Sequence, residues 1–230
     1  MRSSKWSAHG NVYLLVERER LSPERARELS AAQQTDGVLE VLGVDGTEAE
    51  IAIWNPDGSQ AELSGNGTRI AARWLAGETG AGEVRIRVGD RLTKAWVKGN
   101  LVDQELGPVE VGASEELDGV EFVPVSVGNP HAVVRGDPDE IGRIGPLLER
   151  HRRFPSGTNV QIGRVAGPGK ITARVWERGV GETSSSGTSA VAVAAAICGE
   201  GETEVSFPGG TLFVRVVGGR AYVRGPAERL

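Results

Sequence analysis

The sequence predicts an α+β fold built from two similar halves. Its landmarks recur at a fixed interval: Trp54 and Trp176 are 122 residues apart, and so are Ser64 and Ser186. A run of small apolar residues follows each serine, which is typical of a helix buried on all sides. The rest of the chain divides into many short strand-like segments, which argues against a doubly wound parallel sheet. The two halves, taken as domains, are expected at residues 1–112, with a closing strand at about 218–230, and at residues 113–217.

The first half is expected to hold one outer helix and one buried helix among its strands. Ser22 is a strong N-cap residue and Pro23 suits the first helical position, so the outer helix should run to about residue 32. The buried helix follows Ser64. Alternating apolar residues and glycine-containing turns predict strands at residues 12–17, 38–44, 50–54, 83–88, 92–98 and 101–106.

The second half repeats this plan. Its outer helix is expected at residues 137–150, and its buried helix at residues 190–197, after the serine-rich loop that ends at Ser186. Cys198, at the end of that helix, is expected to pack in the core. Strands are predicted at residues 121–127, 132–134, 160–165, 171–176, 205–208, 211–217 and 220–224.

Composition excludes several classes of function. With 230 residues, 39% hydrophobic and 25% charged, the chain can bury a real core. The net charge of −5 and the scattered basic residues argue against a nucleic-acid partner. No apolar run is long enough for a signal peptide or a membrane span, so we expect a cytoplasmic protein without a membrane partner. One cysteine and three histidines leave little for disulfides or a metal cluster, and no metal is expected.

The two serine-led helices suggest a binding site. The first N–H groups of a helix have no partner within it, and the helix dipole is positive there, so each N-terminus favours an anion. If the two halves face each other, an interdomain cleft would hold one anionic group from both sides. For either loop taken alone, the alternative is a capped core helix with no ligand.

Six ordered motifs extend over nearly the whole chain, and together they resemble the diaminopimelate epimerase family. They are Gly10-Asn11; Asn55-x-Asp57-Gly58 with Gly65-Asn66-Gly67-x-Arg69; Gly128-Asn129-Pro130-His131; Phe154-Pro155-x-Gly157-Thr158-Asn159; Glu177-Arg178-Gly179-Val180-Gly181-Glu182-Thr183; and Phe207-Pro208-Gly209-Gly210. The resemblance implies two pseudo-symmetric domains, each a strand barrel around a central helix. That expectation agrees with the internal repeat.

The resemblance also implies a reaction, the epimerisation of LL- to meso-2,6-diaminopimelate in the lysine and cell-wall precursor pathway. In that family one thiolate takes the α-proton and a second thiol returns a proton to the opposite face, without pyridoxal phosphate or another cofactor. The two thiol positions correspond here to Ser64 and Ser186. The family's groups that tune those thiols correspond to His131 and Glu177. The implied substrate-binding residues are Asn11, Asn55, Gly65, Asn66, Asn129, Asn159, Arg178, Gly187 and Thr188, of which Arg178 would fork onto the distal carboxylate.

The two serines are the main departure from the family pattern. The ordinary pKa of a thiol is about 8.5, whereas bulk water, a stand-in for an alkyl hydroxyl, has a pKa of about 15.7. The gap of roughly 7 units corresponds to about 10 kcal/mol for forming the base. A helix N-terminus stabilises an anion by only about 1–2 kcal/mol. Serine should therefore be a very slow direct substitute for cysteine.

Three interpretations of the serines remain open. They were introduced in place of cysteines to capture ligand; or they are native, and His131 and Glu177 serve as the acid/base pair; or the protein is a related racemase or dehydratase, or a non-catalytic amino-acid-binding homologue. The expected partner is a small-molecule amino-acid substrate. The sequence leaves a homodimer open.

Overall fold

The computed structural model describes residues 2–230, which form four α-helices and nineteen strands. The helices are α1 (Pro23–Gln33), α2 (Gly65–Thr79), α3 (Ile141–Glu149) and α4 (Gly187–Cys198). The first strands are β1 (Arg2–Ala8), β2 (Asn11–Glu17), β3 (Gly37–Asp45), β4 (Glu48–Trp54), β5 (Gln60–Ala61), β6 (Glu83–Val88), β7 (Arg91–Lys98), β8 (Leu101–Pro108) and β9 (Glu110–Val111). The others are β10 (Glu115–Leu117), β11 (Val120–Ser126), β12 (Pro130–Arg135), β13 (Asn159–Gly167), β14 (Lys170–Glu177), β15 (Gly181–Thr183), β16 (Gly201–Phe207), β17 (Gly210–Val217), β18 (Arg220–Pro226) and β19 (Glu228–Arg229).

The chain divides into two compact units. The first contains the residues up to Glu105 together with Arg224–Leu230, and the second contains Leu106–Val223. The chain leaves the first unit within β8 and returns to it within β18. The domain boundaries expected at 112/113 and 217/218, and the cleft expected from the sequence, remain predictions.

In the first unit, strands surround the buried helix α2. This helix packs on β1, β2, β4, β6 and β7, and Ile70, Ala71 and Leu75 on it are fully buried in one core with the inward-facing residues of those strands. α1 lies outside the sheet, where Ala26 and Leu29 pack with Trp54 in a second apolar layer. Trp54 therefore belongs to the outer layer rather than to the core around α2.

The second unit repeats this arrangement around α4. Ala190, Val191 and Val193 of α4 are fully buried against the surrounding strands. α3 takes the place of α1 outside the sheet, and Trp176 packs in that outer layer. Each unit is thus a strand barrel around a central helix, which confirms the fold class expected from the sequence.

The strand pairing shows how closely the two units correspond. In the first unit β2 runs parallel to β3, β3 antiparallel to β4, and β4 parallel to β6. In the second unit β12, β13, β14 and β16 pair in the same order and directions. The register repeats as well, since Val38 pairs with Trp54 and Val160 with Trp176. The internal repeat noted in the sequence is therefore a structural repeat.

Local sequence explains where the central helices begin and end. Ser64 adopts the extended N-cap conformation, and its hydroxyl accepts a hydrogen bond from the Gly67 N–H at 3.0 Å. Gly80, with a φ of 73°, ends α2 in the left-handed conformation that glycine adopts without strain. Ser186 occupies the same N-cap position for α4, but its side chain makes no capping hydrogen bond.

Two sequence expectations are corrected by the structure, which also adds strands that the sequence did not predict. The helix predicted at residues 137–150 is instead a 3-10 turn at Pro138–Glu140 followed by α3, because Asp137 caps the turn and Pro138 starts it. The N-terminal residues form β1, which was not predicted. Cys198 is exposed at the end of α4 rather than packed in the core.

Among the helices of residues 2–230, none combines the length and apolar character needed to cross a membrane.

Candidate functional site

The first group of predicted site residues gathers at the N-terminus of α2. The Ser64 hydroxyl, which caps the helix, also lies 3.1 Å from the Tyr13 hydroxyl. Tyr13 lies on β2 and is only 7% exposed. β2 therefore brings a buried phenol to the serine that stands at the predicted thiol position.

Three further side chains near the start of α2 are joined by hydrogen bonds. Asn66 donates from Nδ2 to Oδ1 of Asn11 at 3.2 Å, and Arg69 donates from Nη2 to Oδ1 of Asn66 at 2.7 Å. Arg69 is fully buried, and its Nε and Nη1 atoms have no hydrogen-bond partner within residues 2–230. Burial lowers the pKa of Arg69 to about 10, so the guanidinium is still charged at neutral pH. The positive end of the α2 dipole and the buried charge of Arg69, which is bonded to Asn66 in the first turn, both favour an anion.

Gln104 fixes the backbone of the same turn. Its Nε2 donates to the carbonyl of Gly65 at 2.7 Å, and its Oε1 accepts from the Thr68 hydroxyl at 2.9 Å. Both side chains are fully buried. Gln104 on β8 therefore holds the opening of α2 against the strand behind it.

Asn55 lies in a separate turn of the first unit. Its Nδ2 donates to the Ser59 hydroxyl at 3.0 Å, and Ser59 donates from its backbone N–H and its hydroxyl to Asp57. These bonds from Ser59 lower the pKa of Asp57. The side chain of Asn55 stabilises its own turn here, and its contact with substrate remains a prediction.

In the second unit, the N-terminus of α4 carries the matching set. Ser186, Gly187 and Thr188 open the helix and are buried. Ser189, one residue further, accepts a hydrogen bond from Gln161 Nε2 at 3.0 Å. Gln161 on β13 thus fixes the first turn of α4.

His131 is held on both sides. Its Nε2 lies 2.9 Å from Asn129 Oδ1 and its Nδ1 lies 3.0 Å from Gln161 Nε2, so Nε2 donates and Nδ1 accepts. Burial lowers the pKa of His131 to about 3, with a smaller contribution from the charge of Arg178. A neutral imidazole with both nitrogen atoms engaged is suited to orienting its neighbours rather than to accepting a proton.

The last two predicted residues are Glu177, at the end of β14, and Arg178, in the turn that follows it. Glu177 accepts a hydrogen bond from the Thr183 hydroxyl at 2.5 Å. The backbone N–H of Arg178 donates to Asn159 Oδ1 at 3.1 Å, and Asn159 Nδ2 in turn donates to the carbonyl of Pro130 at 3.0 Å. Arg178 itself is exposed, with Nη1 3.4 Å from the carbonyl of Ser156. The structure brings Asn159 and Arg178 together, and their contact with substrate remains a prediction.

Sequence reasoning missed three residues that shape these groups: Tyr13, Gln161 and Glu149. The aromatic residue shortly after the Gly10-Asn11 motif was visible in the sequence, but its contact with Ser64 spans 51 positions. Glu149 accepts hydrogen bonds from Trp176 Nε1 and from the Gly179 N–H. No local pattern distinguishes either contact, because both depend on strand and helix packing.

One cavity of the first unit lies apart from the predicted site. It encloses about 510 Å³ near the C-terminal half of α2. None of the predicted site residues lines it. Its lining includes Arg2, Trp6, Arg73, Trp74, Glu78 and Arg229.

Comparison with known proteins identifies relatives of the whole chain. The family model for diaminopimelate epimerase matches residues 123–230. The diaminopimelate epimerase of Desulforudis audaxviator is 38% identical over 85% of this chain and 82% of its own length. The diaminopimelate epimerase of Desulfitobacterium hafniense is also 38% identical, over 89% of this chain and 85% of its own length. Among solved structures, a predicted epimerase from Pseudomonas aeruginosa superposes with a TM-score of 0.78 at 16% identity, covering 100% of this chain and 96% of that one.

Proposed function

Because the chain belongs to the diaminopimelate epimerase family, we propose that it binds a zwitterionic amino acid and transfers the proton at one α-carbon without a cofactor. The first candidates are LL- and meso-2,6-diaminopimelate. Such a protein would act in lysine and cell-wall precursor synthesis in the cytoplasm. Its transfer is expected to be slow, because hydroxyls replace thiols at both predicted positions.

The observation that carries the proposal is the matched pair of central helices. Each begins directly after a serine, Ser64 or Ser186, and each opens with buried residues whose backbone N–H groups have no partner in the helix. At α2 the buried charge of Arg69 adds to the positive end of the helix. These features support a site for a carboxylate.

The remaining residues fit the parts of such a substrate. Arg178 would bind the distal carboxylate through two parallel hydrogen bonds, with Asn159 fixing its backbone. The N–H groups at Gly65-Asn66 and Gly187-Thr188 would bind the carboxylate next to the reacting carbon. By stabilising the enediolate-like charge that develops there, they would make the α-proton easier to remove.

A non-catalytic binding protein is the second candidate, and Ser186 favours it. Its hydroxyl makes no capping hydrogen bond, and neutral His131 is bonded to Asn129 and Gln161 instead. Without His131 as its base, the Ser186 hydroxyl would take or return an α-proton only slowly. A protein that binds the amino acid but leaves its α-proton in place would match this candidate.

Binding itself is tested by calorimetry with LL- and meso-diaminopimelate. We expect the unmodified protein to bind at least one of them, and Arg178→Ala to weaken binding about 10- to 100-fold because a charged hydrogen-bonded pair is lost. Arg164→Ala, at an exposed arginine on β13, is the matched control and should bind normally. Absence of binding by the unmodified protein to both isomers would overturn the proposed substrate.

A further inference from the structure

Tyr13 and Ser64 form a hydroxyl pair at the N-terminus of α2. The two oxygen atoms are 3.1 Å apart, and Ser64 Oγ already accepts the Gly67 N–H at 3.0 Å. Either hydroxyl can donate to the other, so the serine proton can point at the Tyr13 oxygen. The Tyr13 ring lies close against the backbone of Gly37, since a Cβ added at Gly37 would lie 2.6 Å from Tyr13 Cε1. Gly37 thus leaves room for the ring beneath the helix.

A phenol is chemically closer to a thiol than a serine hydroxyl is. The ordinary pKa of tyrosine is about 10 and that of cysteine about 8.5, while an alkyl hydroxyl resembles water, at about 15.7. The positive end of α2 and the buried Arg69 guanidinium both favour an anion near Ser64. This corner of the first unit therefore suits a phenolate.

The second unit lacks a corresponding pair. His131 occupies the strand position that matches Tyr13: Tyr13 pairs with Gly37 across β2 and β3, and His131 pairs with Asn159 across β12 and β13. The ring of His131 is bonded to Asn129 and Gln161 rather than to Ser186. The Ser186 hydroxyl makes no capping hydrogen bond at the start of α4. The two units are therefore chemically unequal.

We propose that Tyr13, as its phenolate, accepts a proton through Ser64 and so replaces the missing thiol on one side of the substrate; this rests on the proposed function. Ser64 Oγ takes the α-proton while its own proton passes to the Tyr13 oxygen. The C–H electron pair stays on the substrate as a carbanion stabilised by the adjacent carboxylate. Return of a proton follows the same route to the same face. Tyr13 is thus a positioning and proton-holding residue, and the configuration at the α-carbon is retained.

Exchange of the α-proton in deuterium oxide, followed by NMR at increasing pH, tests this proposal. The unmodified protein should exchange one isomer with retained configuration, at a rate that rises about tenfold per pH unit as the phenolate forms. Tyr13→Phe should lower the rate at least about 100-fold and remove the pH dependence. Tyr222→Phe is the matched control: the other tyrosine lies in the second unit, under the Arg215 guanidinium at 4.0 Å, and its loss should change nothing.

The outcomes separate this proposal from the proposed function. Equal exchange by Tyr13→Phe and the unmodified protein overturns the Tyr13 role, as does binding without exchange, or exchange with inversion. Absence of calorimetric binding overturns the proposed function. In that case the hydroxyl pair of Tyr13 and Ser64 can still be tested by tyrosine NMR, which needs no substrate. With tyrosine labelled by carbon-13 at Cζ and assigned through Tyr222→Phe, Ser64→Ala should shift the titration of Tyr13. An unchanged titration overturns the proposal.

Discussion

The carboxylate of Glu149 accepts a hydrogen bond from the indole Nε1 of Trp176 at 2.8 Å. Its other oxygen accepts the backbone N–H of Gly179 at 2.7 Å. Glu149 is the last residue of α3 and is only 7% exposed. It therefore ties the outer helix of the second unit to the turn that carries Arg178.

Replacing Glu149 by Gln should weaken substrate binding about tenfold. The neutral amide has one oxygen acceptor, so both N–H groups lose a charged partner and one of them, from Trp176 or Gly179, loses its acceptor altogether. The Arg178 turn should therefore loosen, at a cost of about 1–3 kcal/mol of folding stability. Calorimetry and chemical denaturation measure the two effects. Glu40→Gln is the matched control, because Glu40 accepts from Trp54 Nε1 at 2.9 Å but holds no predicted substrate residue. If both variants lose affinity equally, Glu149 does not act through the turn.

The buried state of His131 predicts that acid destabilises the protein. The pKa of His131 is about 3 in the folded protein, against an ordinary value of 6.5. Between these values the unfolded chain binds the extra proton, so the free energy of unfolding should fall by about 1.4 kcal/mol per pH unit from about pH 6 to pH 4. For His131→Asn, the free energy of unfolding should change less steeply with pH, by about 1.4 kcal/mol per pH unit. Urea denaturation at four pH values checks this, and parallel slopes for the two proteins would refute it.

Two glycines of α3 should respond in opposite directions to replacement by alanine. A Cβ added at Gly145 would lie 2.7 Å from Trp176 Cβ, whereas one added at Gly142 would meet no atom within 4 Å. Gly145→Ala should therefore destabilise the protein by about 1–3 kcal/mol. Gly142→Ala should stabilise it by about 0.5 kcal/mol through helix propensity. Thermal unfolding of both variants is the measurement, and a stabilising Gly145→Ala would contradict the close packing of α3 on Trp176.

Local chemistry made much of the fold predictable. The Ser22-Pro23 pair correctly placed the start of α1, because capping and the fixed φ of proline act over a few residues. The repeat of Trp54 at Trp176 correctly indicated two similar units. Cys198 was placed wrongly, since the apolar run of α4 gives no sign that its last turn emerges from the core.

The site was less predictable than the fold. Motif matches named Asn11, Asn66, Asn159 and Arg178, and the structure brings the first two together and the last two together. The contact between Tyr13 and Ser64 could not be found in this way, because strand packing rather than spacing joins them. The same holds for Glu149, whose partners Trp176 and Gly179 lie 27 and 30 residues further along the chain.

The central claim is that Ser64 and Ser186 stand at the two proton-transfer positions of an epimerase site. The most direct test is proton NMR of LL- and meso-diaminopimelate in deuterium oxide, with the unmodified protein beside a Ser64→Cys/Ser186→Cys double variant. We expect slow exchange with retained configuration from the unmodified protein. The double variant should exchange at least about 100-fold faster and interconvert the isomers, because thiolates form far more readily than alkoxides. A folded double variant that binds diaminopimelate yet neither exchanges nor inverts it would contradict the claim.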